Sequence, residues 1–162
     1  MIPNWLLQRA HLTPNRIALH DETEAVSFAE LHERAVKRAR QLAYLGVKKG
    51  DVVAVLMKNS VHMVEIIHAI QYIGAIALLQ NVRLSVEEVR WQLEHSGARF
   101  IVCDESFPDE RAVKIVHRLP LSISFIHMNK LIPCDRSFIR KRFITNNETG
   151  SAMFKLPPYF LN

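Results

Sequence analysis

The sequence predicts an α/β fold of three layers, a mainly parallel sheet flanked by helices, and three observations carry that prediction. Residues 52–57 are a short apolar run rich in β-branched side chains, the pattern of a strand buried on both faces, and residues 99–103 read as another strand. Around them lie longer stretches with the 3.6-residue period of amphipathic helices. Two serine–glutamate pairs three residues apart, Ser27 with Glu30 and Ser85 with Glu88, have the form of a capping box. In that motif the hydroxyl accepts one orphan N–H at the helix start and the carboxylate accepts another. Strands separated by helical stretches of about 10–15 residues imply right-handed crossovers and a parallel sheet covered by helices.

Taken in order, residues 2–11 read as a short helix with Trp5 and Leu6 on one side. Residues 17–20 and 25–27, joined by the acidic turn at 21–24, read as a small hairpin. Leu31, Ala35, Ala39, Leu42 and Leu45 then form one apolar helix face, with Glu33, Arg34, Lys37, Arg38 and Arg40 on the other. The charge run at 37–40 therefore reads as a solvated helix face rather than a nucleic-acid contact. Gly46 is the expected helix terminator, with Val47 folding back on the last turn. Residues 48–51 form a polar turn before the strand at 52–57. Asn59 and Ser60 offer caps for a buried helix reaching Ile73, on which His62, Glu65 and His68 are the polar exceptions. His62 and His68 fall about 120° apart on that helix, off the i, i+4 spacing that a zinc-binding pair needs, so a metal role is not expected of them. A strand is expected over 74–79, a helix from Ser85 to about Ser96 closed by Gly97, and a strand at 99–103. A helix over 108–118, with Pro108 near its first turn, and an apolar strand at 121–126 complete the alternation.

Length and composition bound what this chain can be. Its 162 residues make about one domain, and 49% apolar with 23% charged residues is the ordinary globular mixture. The longest apolar run, residues 73–79, is far short of the roughly 20 residues that span a bilayer. The N-terminus has no cationic segment leading to a small-residue cleavage site, so a cytoplasmic protein is expected. Cys103 and Cys134, in no metal-binding spacing, read as reduced structural thiols. The net charge of +5 is uneven: residues 1–128 carry 15 basic and 14 acidic side chains, whereas 129–162 carry 6 and 2. The expected division is therefore a nearly neutral domain piece at 1–128 and a basic, divergent tail at 129–162.

The common phosphate cradles are missing. The glycines are Gly46, Gly50, Gly74, Gly97 and Gly150, so neither Gly-x-Gly-x-x-Gly nor the P-loop pattern occurs, and no Gly-x-Ser-x-Gly elbow is present. Glu87, Glu88 and Glu94 on one helix read as cap and surface residues rather than an acid–base pair. Composition and spacing alone stop at an α/β domain without a reaction.

The residues themselves suggest a family. Thr13-Pro14, Ile17-Ala18-Leu19, the segments 26–31 and 45–54, Lys58-Asn59, Gly74-Ala75-Ile76, Asn81, Arg83-Leu84-Ser85, Glu88 and 93–104 follow one another in an order that resembles the opening of the acyl-adenylate-forming enzymes, the acyl-CoA synthetase and luciferase-like superfamily. The resemblance runs from about residue 3 to about residue 107. Three details are similar to the branch that joins 2-succinylbenzoate to CoA in bacterial menaquinone synthesis. These are Pro3-Asn4-Trp5-Leu6 running into Arg9-Ala10 and Leu12-Thr13-Pro14, the apolar Leu79 where most members have proline, and Gln92-Leu93-Glu94 before Ser96-Gly97.

The resemblance implies a two-step reaction. The acid's carboxylate attacks the α-phosphorus of ATP–Mg²⁺ to give an acyl-adenylate and pyrophosphate, and the CoA thiol then displaces AMP. The phosphate-holding loop with its lysine, the ribose-binding acid and the mobile C-terminal domain lie, in the family, beyond the region matched here. No catalytic, cofactor-binding or metal-binding residue is therefore assigned in this chain. ATP, Mg²⁺, CoA and the small carboxylate belong to the full-length enzyme, and none is expected to bind this fragment well. Thr149-Gly150-Ser151 with Lys155 has one glycine and the wrong spacing for the loop and reads as chance. From about Phe107 the pattern fades into the basic sequence that holds Arg136, Arg140-Lys141-Arg142 and Leu156-Pro157-Pro158. The expectation is a truncated N-terminal piece of the ligase, such as a shifted reading frame produces, inactive by itself. The alternative is a non-catalytic module that binds nucleic acid or anionic lipid through Lys130, Arg136, Arg140, Lys141 and Arg142, with Phe138 and Phe143 interleaved, or that binds the missing remainder of the ligase through uncovered sheet.

Overall fold

The computed structural model describes residues 4–104, 123–128 and 133–134. Helix α1 (Trp5–Leu12) starts where the Asn4 side chain accepts the Leu7 N–H at 3.0 Å. Strands β1 (Ile17–His20) and β2 (Ala25–Ser27) pair antiparallel as a separate two-stranded sheet. Their turn is held by Asp21, whose Oδ1 accepts the N–H groups of Thr23 at 2.8 Å and Glu24 at 2.9 Å. These bonds favour the charged carboxylate and hold Asp21 below its ordinary pKa, the Thr23 side-chain bond contributing most.

Helix α2 (Phe28–Tyr44) begins with the expected capping box. Glu30 N–H donates to Ser27 Oγ at 3.3 Å, and Ser27 N–H donates to Glu30 Oε2 at 2.8 Å. Leu31, Ala35 and Leu42 are buried along one face, as the periodicity requires. At the far end Gly46 adopts φ +96, a conformation open to glycine, and the Val47 N–H closes on Leu42 O at 3.1 Å.

The main sheet contains β3 (Val52–Leu56), β4 (Ile76–Leu79), β5 (Phe100–Cys103), β6 (Ser124–His127) and β7 (Pro133–Cys134), in the spatial order β4-β3-β5-β6-β7. The first four strands of that order are parallel, with Val53 opposite both Ala77 and Phe100, and Phe100 opposite Ser124. β7 runs antiparallel to β6. Helix α3 (Val61–Ile73) joins β3 to β4, and α4 (Val86–Ser96) joins β4 to β5. Those two connections cross the sheet in opposite directions, so right-handed crossovers must put α3 and α4 on opposite faces.

The cores show that arrangement, divided by the period-two alternation of the strands. On one face Val53, Val55, Phe100, Val102 and Ile126 meet Leu42 of α2 and Ile66, Ala69 and Ile70 of α3. On the other Ala54, Leu56, Ile101, Cys103 and Phe125 meet Val89 and Leu93 of α4. A third cluster of Leu6, Val26, Phe28, Leu31, Ala35 and Val61 ties the hairpin and α1 to the helices.

The elements differ in places from those expected. The strand predicted from residue 74 starts at Ile76, because Gly74, at φ +78, caps α3 in the left-handed conformation. The apolar run predicted at 121–126 forms its strand over Ser124–His127. β7, unanticipated because two residues carry no period, lies beyond residue 128, where the composition changes. The helix expected over 108–118 lies outside the described residues.

Candidate functional site at the carboxyl ends of the strands

In a doubly wound sheet, ligands bind outside the carboxyl ends of the strands where the order reverses, which here is the crevice between β3 and β5. β3 leads into the buried Met57 and then Lys58, whose N–H donates to Asp104 Oδ2 at 3.2 Å. That bond links the end of β3 to the end of β5 across the switch point. On its β6 side, Met128 N–H donates to Cys103 O at 2.9 Å.

Two helix N-termini, with their partial positive charge, also open on this edge. One orphan N–H group at each already has a side-chain partner. Ser60 Oγ accepts the Met63 N–H at 3.2 Å at the start of α3. At α4, Glu88 N–H donates to Ser85 Oγ at 3.3 Å, and Ser85 N–H donates to Glu88 Oε2 at 2.7 Å. The latter bonds hold the Glu88 carboxyl below its ordinary pKa. Asn81 Oδ1 accepts the Arg83 N–H at 2.9 Å and fixes the turn between β4 and α4. The edge is thus built for structure, and among the described residues no three His, Cys, Asp or Glu side chains converge to hold a metal ion.

The remaining candidates are dispersed. His62 Nδ1 lies 3.4 Å from Glu65 Oε1, whereas His68 stacks on Trp5 with ring centroids 6.2 Å apart. Burial disfavours the imidazolium and lowers the His68 pKa. Glu94 pairs with Arg90 at 3.7 Å, and Glu88 caps α4. Cys103 is buried in the core, consistent with a packing role. The side chain of Cys134, the proposed basic contacts Lys130, Arg136, Arg140, Lys141 and Arg142, and Lys155 lie outside the described residues.

One charged cluster went unread. Glu65, only 2% exposed, lies between α2 and α3 and receives Arg38 at 3.2 Å and Arg34 at 3.5 Å, while Arg34 also meets Glu24 at 2.9 Å. The Glu24 hydrogen bond is the main reason the Arg34 pKa is raised. Arg38 therefore leaves the solvated face on which its charge run placed it. The available signal was Glu65 itself, a carboxylate on an otherwise apolar helix that had to find a cation once buried. Nearby, Tyr72 Oη sits 2.7 Å from His32 Nδ1, and burial pushes its hydroxyl up to about 12. Both groupings join α2 to α3.

Comparison with known proteins agrees with this scaffold. Residues 6–136 match the family described as AMP-binding enzyme. The 2-succinylbenzoate–CoA ligase of Geobacillus sp. (strain WCH70) is 54% identical over 123 residues, which are 75% of this chain and 25% of that protein. The ligase of the same name from Geobacillus kaustophilus is 58% identical over 104 residues, 64% of this chain and 21% of that one. Among solved structures, o-succinylbenzoate CoA synthetase from Bacillus subtilis in complex with the acyl-adenylate intermediate OSB-AMP is 42% identical at a TM-score of 0.71, covering 80% of this chain and 25% of that one. The N-terminal subdomain of Klebsiella oxytoca NpsA, at 22% identity and a TM-score of 0.68, shares the fold. This chain spans about a quarter of the length of the curated relatives it matches. With a family match over most of its length and a sheet of the same architecture, the chain belongs to the AMP-binding enzyme family.

Proposed function

We propose that this chain supplies the N-terminal part of an ATP-dependent acid–CoA ligase that converts 2-succinylbenzoate to 2-succinylbenzoyl-CoA through an acyl-adenylate. The observation that carries the reading is the 54% identity over 123 residues to a 2-succinylbenzoate–CoA ligase. A solved relative bound to an acyl-adenylate intermediate supports the same chemistry. The role of this segment is to build the parallel sheet and hold its carboxyl edge in place. In this reading ATP, Mg²⁺ and CoA are held by the full-length ligase, of which this chain matches about a quarter. The proposal places the chain in the cytoplasm, where ATP and CoA are supplied. Among the described residues no helix is long and apolar enough to cross a membrane.

A chimera tests this. Residues 6–104 replace the corresponding segment of the Geobacillus WCH70 ligase, and pyrophosphate release is measured with ATP and 2-succinylbenzoate. The expected result is turnover in the chimera and none above background for the 162-residue chain alone. A folded but inactive chimera overturns the assignment, and turnover by the chain alone overturns its catalytic incompleteness.

A further inference from the structure

The two edges of the main sheet are finished differently. At one end stands β7, two residues long, antiparallel and carrying Pro133, whose missing N–H cannot recruit another strand. At the other stands β4, four residues of Ile-Ala-Leu-Leu with neither charge nor proline. Its end residues Ile76 and Leu79 are 56% and 53% exposed, although β4 is parallel to its neighbour and parallel strands are normally covered. Ile76 N–H donates to Asp51 O at 2.8 Å and Gln80 N–H to Val55 O at 3.0 Å, so by strand alternation Ala77 and Leu79 direct their N–H and C=O away from β3. Among the described residues β4 pairs only with β3.

A second observation lies at the end of the same strand. Gln80 is 4% exposed, and its Nε2 donates to Val89 O at 3.4 Å and Gln92 Oε1 at 3.3 Å. Turning the amide over would set its oxygen against the Val89 carbonyl, which can only accept, so that contact selects the orientation. Oε1 is then buried with no donor among the described residues, an arrangement that destabilises the fold when nothing fills it. An apolar edge without a blocking residue and an orphan acceptor at its carboxyl end both call for a further segment with backbone N–H groups.

We propose that β4 is a strand-addition site whose occupant is an extended segment from the remainder of a 2-succinylbenzoate–CoA ligase. The proposal rests on the functional reading above, which implies about three quarters of a ligase beyond this chain. Backbone groups of Ala77 and Leu79 give the pairing, and Ile76 and Leu79 become covered on the two faces of the extended sheet.

The test coexpresses the 162-residue chain with the complementary part of the Geobacillus WCH70 ligase and follows residue-resolved hydrogen exchange, for the chain alone and in the complex. The expected result is a one-to-one complex in which the Ala77 and Leu79 amides exchange at least tenfold more slowly than in the chain alone. Ile76 and Gln80, already bonded to β3, serve as the internal reference. Leu79→Lys, a charge on the exposed edge, is expected to weaken the complex at least tenfold while the free chain keeps its circular dichroism spectrum. Failure to associate, or a complex that leaves Ala77 and Leu79 unprotected, overturns the proposal. So does a homodimer of the chain alone with those amides protected, which assigns the edge to a second copy. Protection without turnover counts against the functional reading and leaves the strand-addition site standing. Turnover without protection does the reverse.

Discussion

Arg38 of α2 donates through Nε to Glu65 Oε2 of α3 at 3.2 Å, joining two helices 27 residues apart in sequence. Glu65 is buried and Arg38 is half-buried, with Arg34 bridging from Glu65 to Glu24 at the hairpin. A buried carboxylate is retained only with its cations in place, so this cluster fixes the pairing of α2 with α3.

Replacing Glu65 by Gln leaves two guanidinium groups facing a neutral amide in a partly buried site. The expected cost is about 3 kcal/mol, measured by urea unfolding of the chain. The double variant Glu65→Leu, Arg38→Met, which removes both charges and keeps the volume apolar, is expected to be more stable than Glu65→Gln. An unchanged unfolding midpoint for Glu65→Gln would show that the cluster contributes nothing.

Gly74→Ala tests the end of α3. The residue sits at φ +78, and an added Cβ would lie 3.1 Å from Lys49 Cγ. Strain in the left-handed region and that contact together are expected to cost about 1 kcal/mol or more. Gly46→Ala, at φ +96 with open space around it, isolates the backbone strain and should cost less. Equal losses in thermal unfolding would remove the contact from the account.

Ser27→Ala removes one half of the first capping box and Glu30→Ala the other. Each is expected to lower stability by about 1 kcal/mol, with the double variant losing less than the sum because the Ser27 hydroxyl also donates to Glu30 Oε2 at 2.9 Å, a bond that either single variant removes. Strict additivity in a thermal double-mutant cycle would show that the two bonds act independently.

The pH dependence has a defined sign at His68. Its pKa in the folded chain lies below the ordinary 6.5 because burial penalises the imidazolium. The neutral ring therefore contributes stability that is fully present above pH 6.5 and is lost as pH falls through the lower folded value. Glu30 and Glu88, lowered chiefly by the N–H groups of Ser27 and Ser85, contribute above their ordinary 4.5 and are lost in stronger acid. Unfolding midpoints measured from pH 7 downward should show an early decline that His68→Phe reduces, followed by a steeper one that it does not. An early decline of the same size in His68→Phe would place its origin elsewhere.

Much of the fold could be read along the chain, because its signals are local. The strands β3 and β5 appear as apolar runs, Leu31, Ala35 and Leu42 as one helix face, and both capping boxes as pairs three residues apart. Gly74 was misassigned to a strand because a glycine before apolar residues suits a helix cap and a strand start equally well. β7 was missed because a two-residue strand is defined by its partner β6. Of the candidate site, the absence of a phosphate-cradling glycine pattern was visible, whereas the Lys58 to Asp104 bond across the switch point was not, since it joins residues 46 apart.

By itself, the sequence determined the alternation of elements, the residues that face inward and the family resemblance, all set by spacing within a few turns or by motif order. Only the tertiary structure decided the strand order β4-β3-β5-β6-β7, the pairing of Glu65 with Arg34 and Arg38, and the exposure of β4 beside the orphan oxygen of Gln80. The physical reason is that burial and hydrogen-bond satisfaction are properties of a neighbourhood. A carboxylate, an amide or an apolar strand reveals its cost and its partner only when distant parts of the chain are brought against it.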